Sequence, residues 1–261
     1  MAVFFFAGMF GRHENNKVKF LKRPHFLHVS RYICFCKCTL MKKELSLVHN
    51  YAPPSQEFSH GRRNPLLVMA HGYGSDQYDL FSLAGELPGV FHVVAPRAPI
   101  ELPFGGAAWY SLNFDDSRKF THVPEALAAR EKLASFIKEA AEAYDADPEN
   151  VWLLGFSQGA ILSYGIMSKY PRLVKYYIPL SGYIEPNIIE PVGDTADYAG
   201  IKAIATHGTQ DQVIPVSWGR SVKDFMKERL VEYCYYEYPI GHGISPEGFQ
   251  QVKWWVDENL I

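Results

Sequence analysis

Short apolar runs alternate along the chain with segments in which apolar residues recur every three or four positions. The short runs end in turn residues, as buried strands do, and the longer segments have the spacing of helices with one buried face. Six strands are predicted, at residues 66–72, 92–99, 151–155, 176–182, 203–208 and 232–239. Five helices are predicted, at residues 79–87, 124–144, 158–170, 218–229 and 246–259.

This alternation predicts an α/β fold with a mostly parallel sheet and helices on both of its faces. A further strand is predicted within "LSLVHNYA", residues 45–52, as an antiparallel edge of that sheet. No repeat and no proline- or serine-rich linker interrupts residues 41–261. These residues are therefore predicted to form a single domain.

Residues 1–40 differ from the rest of the chain, since they contain seven of the 26 Lys and Arg residues but one of the 28 Asp and Glu residues. Their apolar run at residues 3–10 precedes the basic residues, which is the reverse of a secretory signal, and it is too short to span a bilayer. A transit peptide is one interpretation. The one that we favour is a disordered appendage or upstream sequence, with the functional protein beginning at Met41.

Composition excludes several classes of function. With 48% hydrophobic residues the chain can bury a substantial core, and the acidic balance beyond residue 40 argues against a nucleic-acid partner. Three of the four cysteines, Cys34, Cys36 and Cys38, lack the spacing of zinc or redox sites, so no metal is expected. The absence of a disulfide framework favours a reducing compartment, and we expect a cytoplasmic protein without stable membrane insertion.

The sequence Gly155-Phe156-Ser157-Gln158-Gly159 joins a predicted strand directly to a predicted helix. At so tight a corner the two backbones come close together, so small residues are needed on either side of the corner residue, which is held outward in a strained conformation. G-x-S-x-G is the pattern of a nucleophile elbow. Because three fixed positions match by chance in about one chain in ten of this length, the interpretation depends on partners elsewhere.

Two other strand ends supply the partners that a nucleophilic serine requires, a base and a carboxylate that orients the base. Asp211 follows the strand predicted at 203–208, and His242 follows the one at 232–239. Aspartate is common in turns, and a histidine between two glycines fits a flexible loop, so neither residue is diagnostic alone. The chain order Ser157, Asp211, His242 at strand ends predicts a catalytic triad.

Donors for a developing oxyanion are predicted at two places. The residue after the nucleophile gives one backbone N–H group, that of Gln158. The second is predicted to be the N–H group of Tyr73, in the glycine-containing segment "HGYG" that follows the first central strand. His71 begins this segment, precedes Ser157 in the chain and ends a buried strand, so we expect it to form structural hydrogen bonds rather than act as the base.

Seven segments together resemble the phospholipase/carboxylesterase family of small α/β-hydrolases, which includes the acyl-protein thioesterases: "HGYGSD", "APRAP", "GGAAWY", "GFSQGA", "LSG", "HGTQDQVIP" and "GHGI". The resemblance extends over residues 66–259. It implies the α/β-hydrolase fold. It also implies that Ser157, Asp211 and His242 are the nucleophile, acid and base, and that Tyr73 lies in the oxyanion loop.

We therefore expect a serine hydrolase, a carboxylesterase that cleaves carboxylic esters of short to medium acyl chains through an acyl-enzyme intermediate, without a metal or organic cofactor. The expected partner is a small ester substrate. A thioesterase acting on acyl-proteins or small acyl-thiols is the alternative, because the same triad serves both leaving groups. A non-catalytic protein of the same fold that binds a small ligand is a third interpretation, which a complete triad disfavours.

Aromatic residues in the long segment 100–123 are candidates for substrate binding. Trp109, Tyr110 and Phe114 follow a strand end, and we expect them to line an acyl pocket. The alternative is that they pack beneath a long loop. The sequence leaves the oligomeric state open, with a homodimer as one option.

Overall fold

A computed structural model describes residues 43–112 and 121–260, and a seven-stranded sheet lies at the centre of this part of the chain. The strands are β1 (His49–Ala52), β2 (Pro65–Ala70), β3 (His92–Pro96), β4 (Ile100–Glu101), β5 (Ala107–Ala108), β6 (Asp147–Phe156), β7 (Tyr176–Leu180), β8 (Lys202–Gly208) and β9 (Glu232–Tyr238). Strands β4 and β5 form a separate hairpin, and the other seven form the sheet in the order β1-β3-β2-β6-β7-β8-β9. Strand β1 is antiparallel to β3, and the remaining neighbours in the sheet are parallel.

Helices connect these strands. The α-helices within the described ranges are α1 (Val123–Ala143), α2 (Gln158–Lys169), α3 (Val216–Gly219), α4 (Val222–Glu228) and α5 (Pro246–Asn259). Short 3₁₀-helices lie at Ser59–Gly61, Leu80–Glu86, Pro186–Ile188 and Thr195–Tyr198. Among the helices of residues 43–112 and 121–260, none is both long and apolar enough to cross a membrane.

The central strands are buried on both faces of the sheet. Successive side chains of a strand point to opposite faces, so each central strand contributes to two apolar clusters. In β2, Leu66 and Val68 belong to one apolar cluster, and Leu67 and Met69 belong to the other. Apolar residues of α1, α2 and α4 complete the first cluster, and apolar residues of α5 and Leu80–Glu86 complete the second. Helices therefore cover both faces of the sheet, as the alternation of strands and helices predicts.

The predicted strands agree with β2, β3 and β6 to β9 to within a few residues, and the predicted antiparallel edge strand is confirmed as β1. The helix predicted at 79–87 is a 3₁₀-helix, which Gly85 and Pro88 limit to a short element. The long segment 100–123, in which neither a strand nor a helix is predicted, contains the β4–β5 hairpin. Two-residue strands are too short to produce a recognisable period in the sequence.

The helix predicted at 218–229 is interrupted, so that two short helices, α3 and α4, stand in its place. Between them, Arg220 and Ser221 keep helical backbone angles, so the interruption is slight. Position 219 requires glycine, because a Cβ atom on this residue would lie 2.4 Å from Nδ1 of His207, in β8.

Residues 1–40 lie outside the described part of the chain, and their prediction as an appendage stays a prediction. The cytoplasmic location and the oligomeric state likewise stay predictions.

Val68→Ala is expected to lower the free energy of unfolding by about 2 kcal/mol, because Val68 is fully buried and the change removes two carbon atoms and leaves a cavity. The matched control is Val48→Ala, the same change at a residue that is 62% exposed, where we expect less than about 0.5 kcal/mol. Urea unfolding followed by circular dichroism measures both. Equal effects of the two substitutions would contradict the burial of β2.

Candidate active site

Ser157 occupies a sharp turn between the end of β6 and the start of α2. Its backbone has φ 53° and ψ −114°, a region that non-glycine residues rarely adopt. A Cβ atom at Gly155 would lie 2.4 Å from Gly159 O, and one at Gly159 would lie 2.0 Å from Ala70 O. The two glycines are therefore required by close packing of backbone against backbone. Strain of the kind seen at Ser157 is concentrated at functional residues.

Ser157, His242 and Asp211 form one hydrogen-bonded chain. His242 Nε2 lies 3.0 Å from Ser157 Oγ, and His242 Nδ1 lies 2.7 Å from Asp211 Oδ2. Ser157 follows β6, Asp211 follows β8 and His242 follows β9, so the parallel sheet brings them to the same edge. The structure thus places the three residues of the predicted triad together, at distances suitable for proton transfer.

The Asp211 carboxylate is held by further donors, since Oδ1 accepts the N–H groups of Val213 and Ile214, each at 2.8 Å. Burial raises the pKa of this carboxyl group. The hydrogen bonds from His242 and from the backbone of Ile214 and Val213 outweigh burial and hold the pKa below its ordinary value. An ionised carboxylate only accepts hydrogen bonds, so Nδ1 of His242 carries the proton and Nε2 accepts the hydrogen bond of the Ser157 hydroxyl.

A second histidine, His207, lies behind Asp211 and is a residue that the sequence pattern did not single out. Its Nε2 lies 2.8 Å from Ile214 O and 3.4 Å from Asp211 Oδ2. Because a carbonyl oxygen only accepts, Nε2 carries a proton that it donates to Ile214 O, which closes the turn that contains Asp211. Its position four residues before Asp211, at the same strand end, is the signal that could have identified it.

In residues 43–112 and 121–260, no three His, Cys, Asp or Glu residues are grouped as metal ligands.

The segment that contains Tyr73 passes beside Ser157. A Cβ atom at Gly72 would lie 3.2 Å from Ser157 Cβ, so a larger residue would be crowded at this point. Gln158 is the first residue of α2, where backbone N–H groups lack an acceptor within the helix. The segments that contain the two residues predicted to stabilise an oxyanion therefore both lie next to Ser157, and their role as donors stays a prediction.

His71 fixes the beginning of the Tyr73 segment. Its Nε2 accepts the N–H group of Ala98 at 3.0 Å, and its Nδ1 donates to Gly72 O at 2.7 Å. Burial lowers the pKa of His71, in agreement with a neutral ring that donates through one nitrogen and accepts through the other. This is the structural hydrogen-bonding role that the sequence predicts for His71.

Residues 107–110, which begin with strand β5, are hydrogen-bonded to the Tyr73 segment. The N–H group of Gly74 donates to Ala107 O at 2.9 Å, and the N–H group of Ala107 donates to Ser75 O at 2.7 Å. The loop that contains Tyr73 is therefore paired with the hairpin through two backbone hydrogen bonds.

The other end of the 107–110 segment is hydrogen-bonded to the side chain of Gln158. Gln158 Oε1 accepts the N–H group of Trp109 at 3.0 Å, and Gln158 Nε2 donates to Tyr110 O at 2.7 Å. One short segment thus connects Tyr73 to Gln158 and fixes the two candidate oxyanion donors relative to each other.

Trp109 and Tyr110 lie in the apolar core, where each is 1% exposed. The indole N–H group of Trp109 donates to His71 O at 2.9 Å. These surroundings agree with packing beneath a loop better than with the lining of an open acyl pocket, and a role in substrate binding stays a prediction. Phe114 lies outside the described residues.

The sequence profile of the phospholipase/carboxylesterase family matches residues 57–260, which is most of the chain and includes Ser157, Asp211 and His242. The chain belongs to the phospholipase/carboxylesterase family. The resemblance carried by the seven sequence segments is thereby confirmed, and so is the α/β-hydrolase fold with its mostly parallel sheet.

Similar proteins within this family are named either carboxylesterase or acyl-protein thioesterase. Carboxylesterase SOBER1 of Arabidopsis thaliana is 30% identical over 117 residues, which are 44% of this chain and 50% of that protein. Acyl-protein thioesterase 1 homolog 1 of Dictyostelium discoideum is 24% identical over 205 residues, which are 74% of this chain and 90% of that protein. The chain spans about half the length of the Arabidopsis relatives that it matches, 44% and 50%.

Solved structures show the same fold. The carboxylesterase of Bacillus cereus superimposes with a TM-score of 0.70 at 17% identity, covering 82% of this chain and 94% of that one. Acyl-protein thioesterase 2 of Zea mays superimposes with a TM-score of 0.60 at 20% identity, covering 82% and 99%. At these identities the likeness establishes the fold alone.

Gly159→Ala is expected to destabilise the protein by about 2 kcal/mol or more, because its Cβ atom would lie 2.0 Å from the backbone oxygen Ala70 O. The matched control is Gly165→Ala in the same helix. There the Cβ atom would meet side-chain atoms of Arg130 and Ile188 at 3.0 and 3.3 Å, which can move, and alanine favours the helix by about 1 kcal/mol. Urea unfolding compares the two variants. A smaller loss for Gly159→Ala than for Gly165→Ala would contradict the steric argument.

Proposed function

We propose that the protein is a serine hydrolase that cleaves carboxylic esters through an acyl-enzyme intermediate. One observation carries the proposal: Ser157 Oγ, on a strained turn, lies 3.0 Å from His242 Nε2, while His242 Nδ1 lies 2.7 Å from the buried Asp211. A neutral imidazole that faces a serine hydroxyl in this way is able to remove the hydroxyl proton. A protein that only binds a ligand has no requirement for this alignment.

In the first half of the proposed reaction, Ser157 Oγ attacks the carbonyl carbon of the ester and its proton passes to His242 Nε2. The Asp211 carboxylate accepts the Nδ1 hydrogen bond and stabilises the imidazolium that forms. The N–H groups of Tyr73 and Gln158 donate to the oxyanion of the tetrahedral intermediate. The ester C–O bond then breaks, the alcohol leaves with the proton from Nε2, and the acyl group stays on Ser157.

In the second half, water attacks the acyl carbonyl carbon and transfers a proton to His242 Nε2. The second tetrahedral intermediate uses the same oxyanion donors. Its collapse releases the carboxylic acid and returns the proton to Ser157 Oγ, which restores the free enzyme. Every step uses side chains of this protein and water, so the proposed reaction includes no metal or organic cofactor.

The proposed substrate is a small ester with a short to medium acyl chain. Trp109 and Tyr110 are each 1% exposed in the apolar core, so these two side chains do not extend an open acyl pocket, which is consistent with a short acyl group. A thioesterase that acts on acyl-proteins or small acyl-thiols is the second candidate, supported by the relatives named acyl-protein thioesterase. The same triad can expel a thiolate in place of an alcohol.

Labelling with a fluorophosphonate probe, followed by mass spectrometry of the digested protein, tests the nucleophile. The label is expected on Ser157, and Ser157→Ala should lose both the label and at least about 10³-fold in kcat for a p-nitrophenyl ester. Ser168→Ala is the control, because Ser168 is also a buried serine on α2 and its hydroxyl donates to Gly165 O at 2.8 Å. Labelling that persists in Ser157→Ala would show that Ser157 is not the nucleophile.

An acyl-length series of p-nitrophenyl esters, measured beside matching thioesters, separates the two candidate activities. The carboxylesterase proposal expects the highest kcat/KM for esters of short to medium chains. Consistently higher values for thioesters would make the protein a thioesterase. A Ser157 that reacts with neither substrate nor probe would support a protein that only binds a ligand.

Asp211→Asn is expected to lower kcat on the order of 10⁴-fold, as the corresponding change does in a serine-protease triad, because the imidazole is then held in the wrong tautomer. The double variant Asp211→Asn with His242→Ala should be little worse than His242→Ala alone, since the two residues act as a unit.

In the native protein kcat/KM should fall on acidification, because a protonated imidazole cannot accept the Ser157 proton. Asp211 stays ionised meanwhile, since its pKa lies below its ordinary value.

Ester hydrolysis by the two single variants and the double variant, each checked for folding by circular dichroism, is the measurement. Near-wild-type kcat in Asp211→Asn would mean that another group orients His242.

A further inference from the structure

A second strained serine lies beside the candidate site. Among the described residues other than glycine, φ is positive at Asp145, Ser157, Ser181 and Leu230. Asp145 and Leu230 follow the ends of α1 and α4, where a left-handed residue commonly terminates a helix. Ser181 has φ 52° and follows strand β7 instead, so helix termination does not explain its conformation. A strained residue of this kind persists when its surroundings hold it, and such residues cluster at functional sites.

The hydroxyl group of Ser181 contacts the loop that contains His242. Ser181 Oγ donates to Gly243 O at 3.1 Å, between residues that are 62 positions apart in the chain. His242 stands between Gly241 and Gly243, and glycine is the residue with the greatest backbone freedom. The loop therefore depends on contacts from outside itself, and the Ser181 hydroxyl holds it on the carboxyl side of His242.

The residue before Ser181 holds the nucleophile. Leu180 O accepts the N–H group of Ser157 at 3.0 Å, and the N–H group of Ser181 donates to Thr206 O, in β8, at 2.8 Å. The dipeptide Leu180-Ser181 is thus bonded to the backbone of Ser157 and to the loop of His242. Residues at the end of β7 therefore position both Ser157 and the loop that contains His242.

We propose that Ser181 is a positioning residue that sets the distance between His242 Nε2 and Ser157 Oγ. This inference rests on the proposed function of Ser157 and His242. Ser181 is fully buried and its hydroxyl donates to Gly243 O in the His242 loop, so it acts through His242 and not on the substrate. Without the hydroxyl, the glycine-flanked loop would shift, and a misplacement of about 1 Å costs about 10²-fold in rate.

Two variants test the hydroxyl group separately from the backbone strain. Ser181→Ala and Ser181→Gly both remove the hydroxyl, whereas only glycine also relieves the positive φ, so Ser181→Gly should be more stable than Ser181→Ala. We expect both variants to lower kcat about 10- to 100-fold with little change in KM, because the base is misplaced while the substrate site is intact. Melting temperatures are measured alongside the rates.

A double variant separates positioning from general stability. In a His242→Ala background, Ser181→Ala should cause no further loss of activity, since the base that it positions is absent. Ser168→Ala, the buried serine on α2, is the matched control and should keep the native kcat.

Three results would overturn the inference: near-native kcat in both Ser181 variants, a loss in Ser181→Ala that Ser181→Gly does not share, or an additive loss in the His242→Ala background. Ser157→Ala, measured in the same series, separates this inference from the proposed function. If Ser157→Ala is fully active, the proposed function fails. If Ser157→Ala is inactive while the Ser181 variants are fully active, only the positioning role fails.

Discussion

The approach of Gly159 to the carbonyl oxygen of Ala70 is the contact on which the rest of the site depends. With no side chain at Gly159, helix α2 begins directly against the end of β2. The first residue of that helix, Gln158, is then next to the segment that contains Tyr73, and the turn before it is so tight that Ser157 has a positive φ. The strain at the nucleophile is therefore a consequence of how closely one helix packs against one strand.

Around this contact, the site is held by hydrogen bonds between elements that are distant in the sequence. The 107–110 segment connects the Tyr73 segment with Gln158, Leu180-Ser181 connects Ser157 with the His242 loop, and His207 closes the turn that contains Asp211. Each of these hydrogen bonds has at least one backbone N–H or carbonyl group as a partner. Donors that are fixed before the reaction need no reorganisation when charge develops, which is the condition for effective electrostatic stabilisation.

Residues whose role follows from a position at a strand end could be predicted from the sequence. Ser157, Asp211 and His242 are of this kind, because parallel strands end at one edge and the apolar periodicity shows where each strand ends. Ser181 is of another kind, since its role depends on a hydrogen bond to Gly243 O, 62 positions away in the chain, which leaves no period in the sequence. His207 is intermediate, because its only sequence signal is its position four residues before Asp211. Aromatic residues after a strand end have the same sequence pattern whether they line a pocket or pack in the core. The burial of Trp109 and Tyr110 could therefore be determined only from the structure.

The 107–110 segment is the fixed part of the long connection between β3 and α1, because it carries the hydrogen bonds to the Tyr73 segment and to Gln158. The turn between β4 and β5 lies on one side of it and presents Phe104, which is 73% exposed. The hydrogen bonds that link the Tyr73 segment to Gln158 come from residues 107–110. Gly106, at the end of the turn, is also fixed, because a Cβ atom there would lie 2.1 Å from Gly74 O. Relatives that keep residues 106–110 can thus differ in the side chains presented by the turn while retaining the same backbone framework. A directed-evolution library would randomise Pro103 and Phe104 and leave residues 106–110 unchanged.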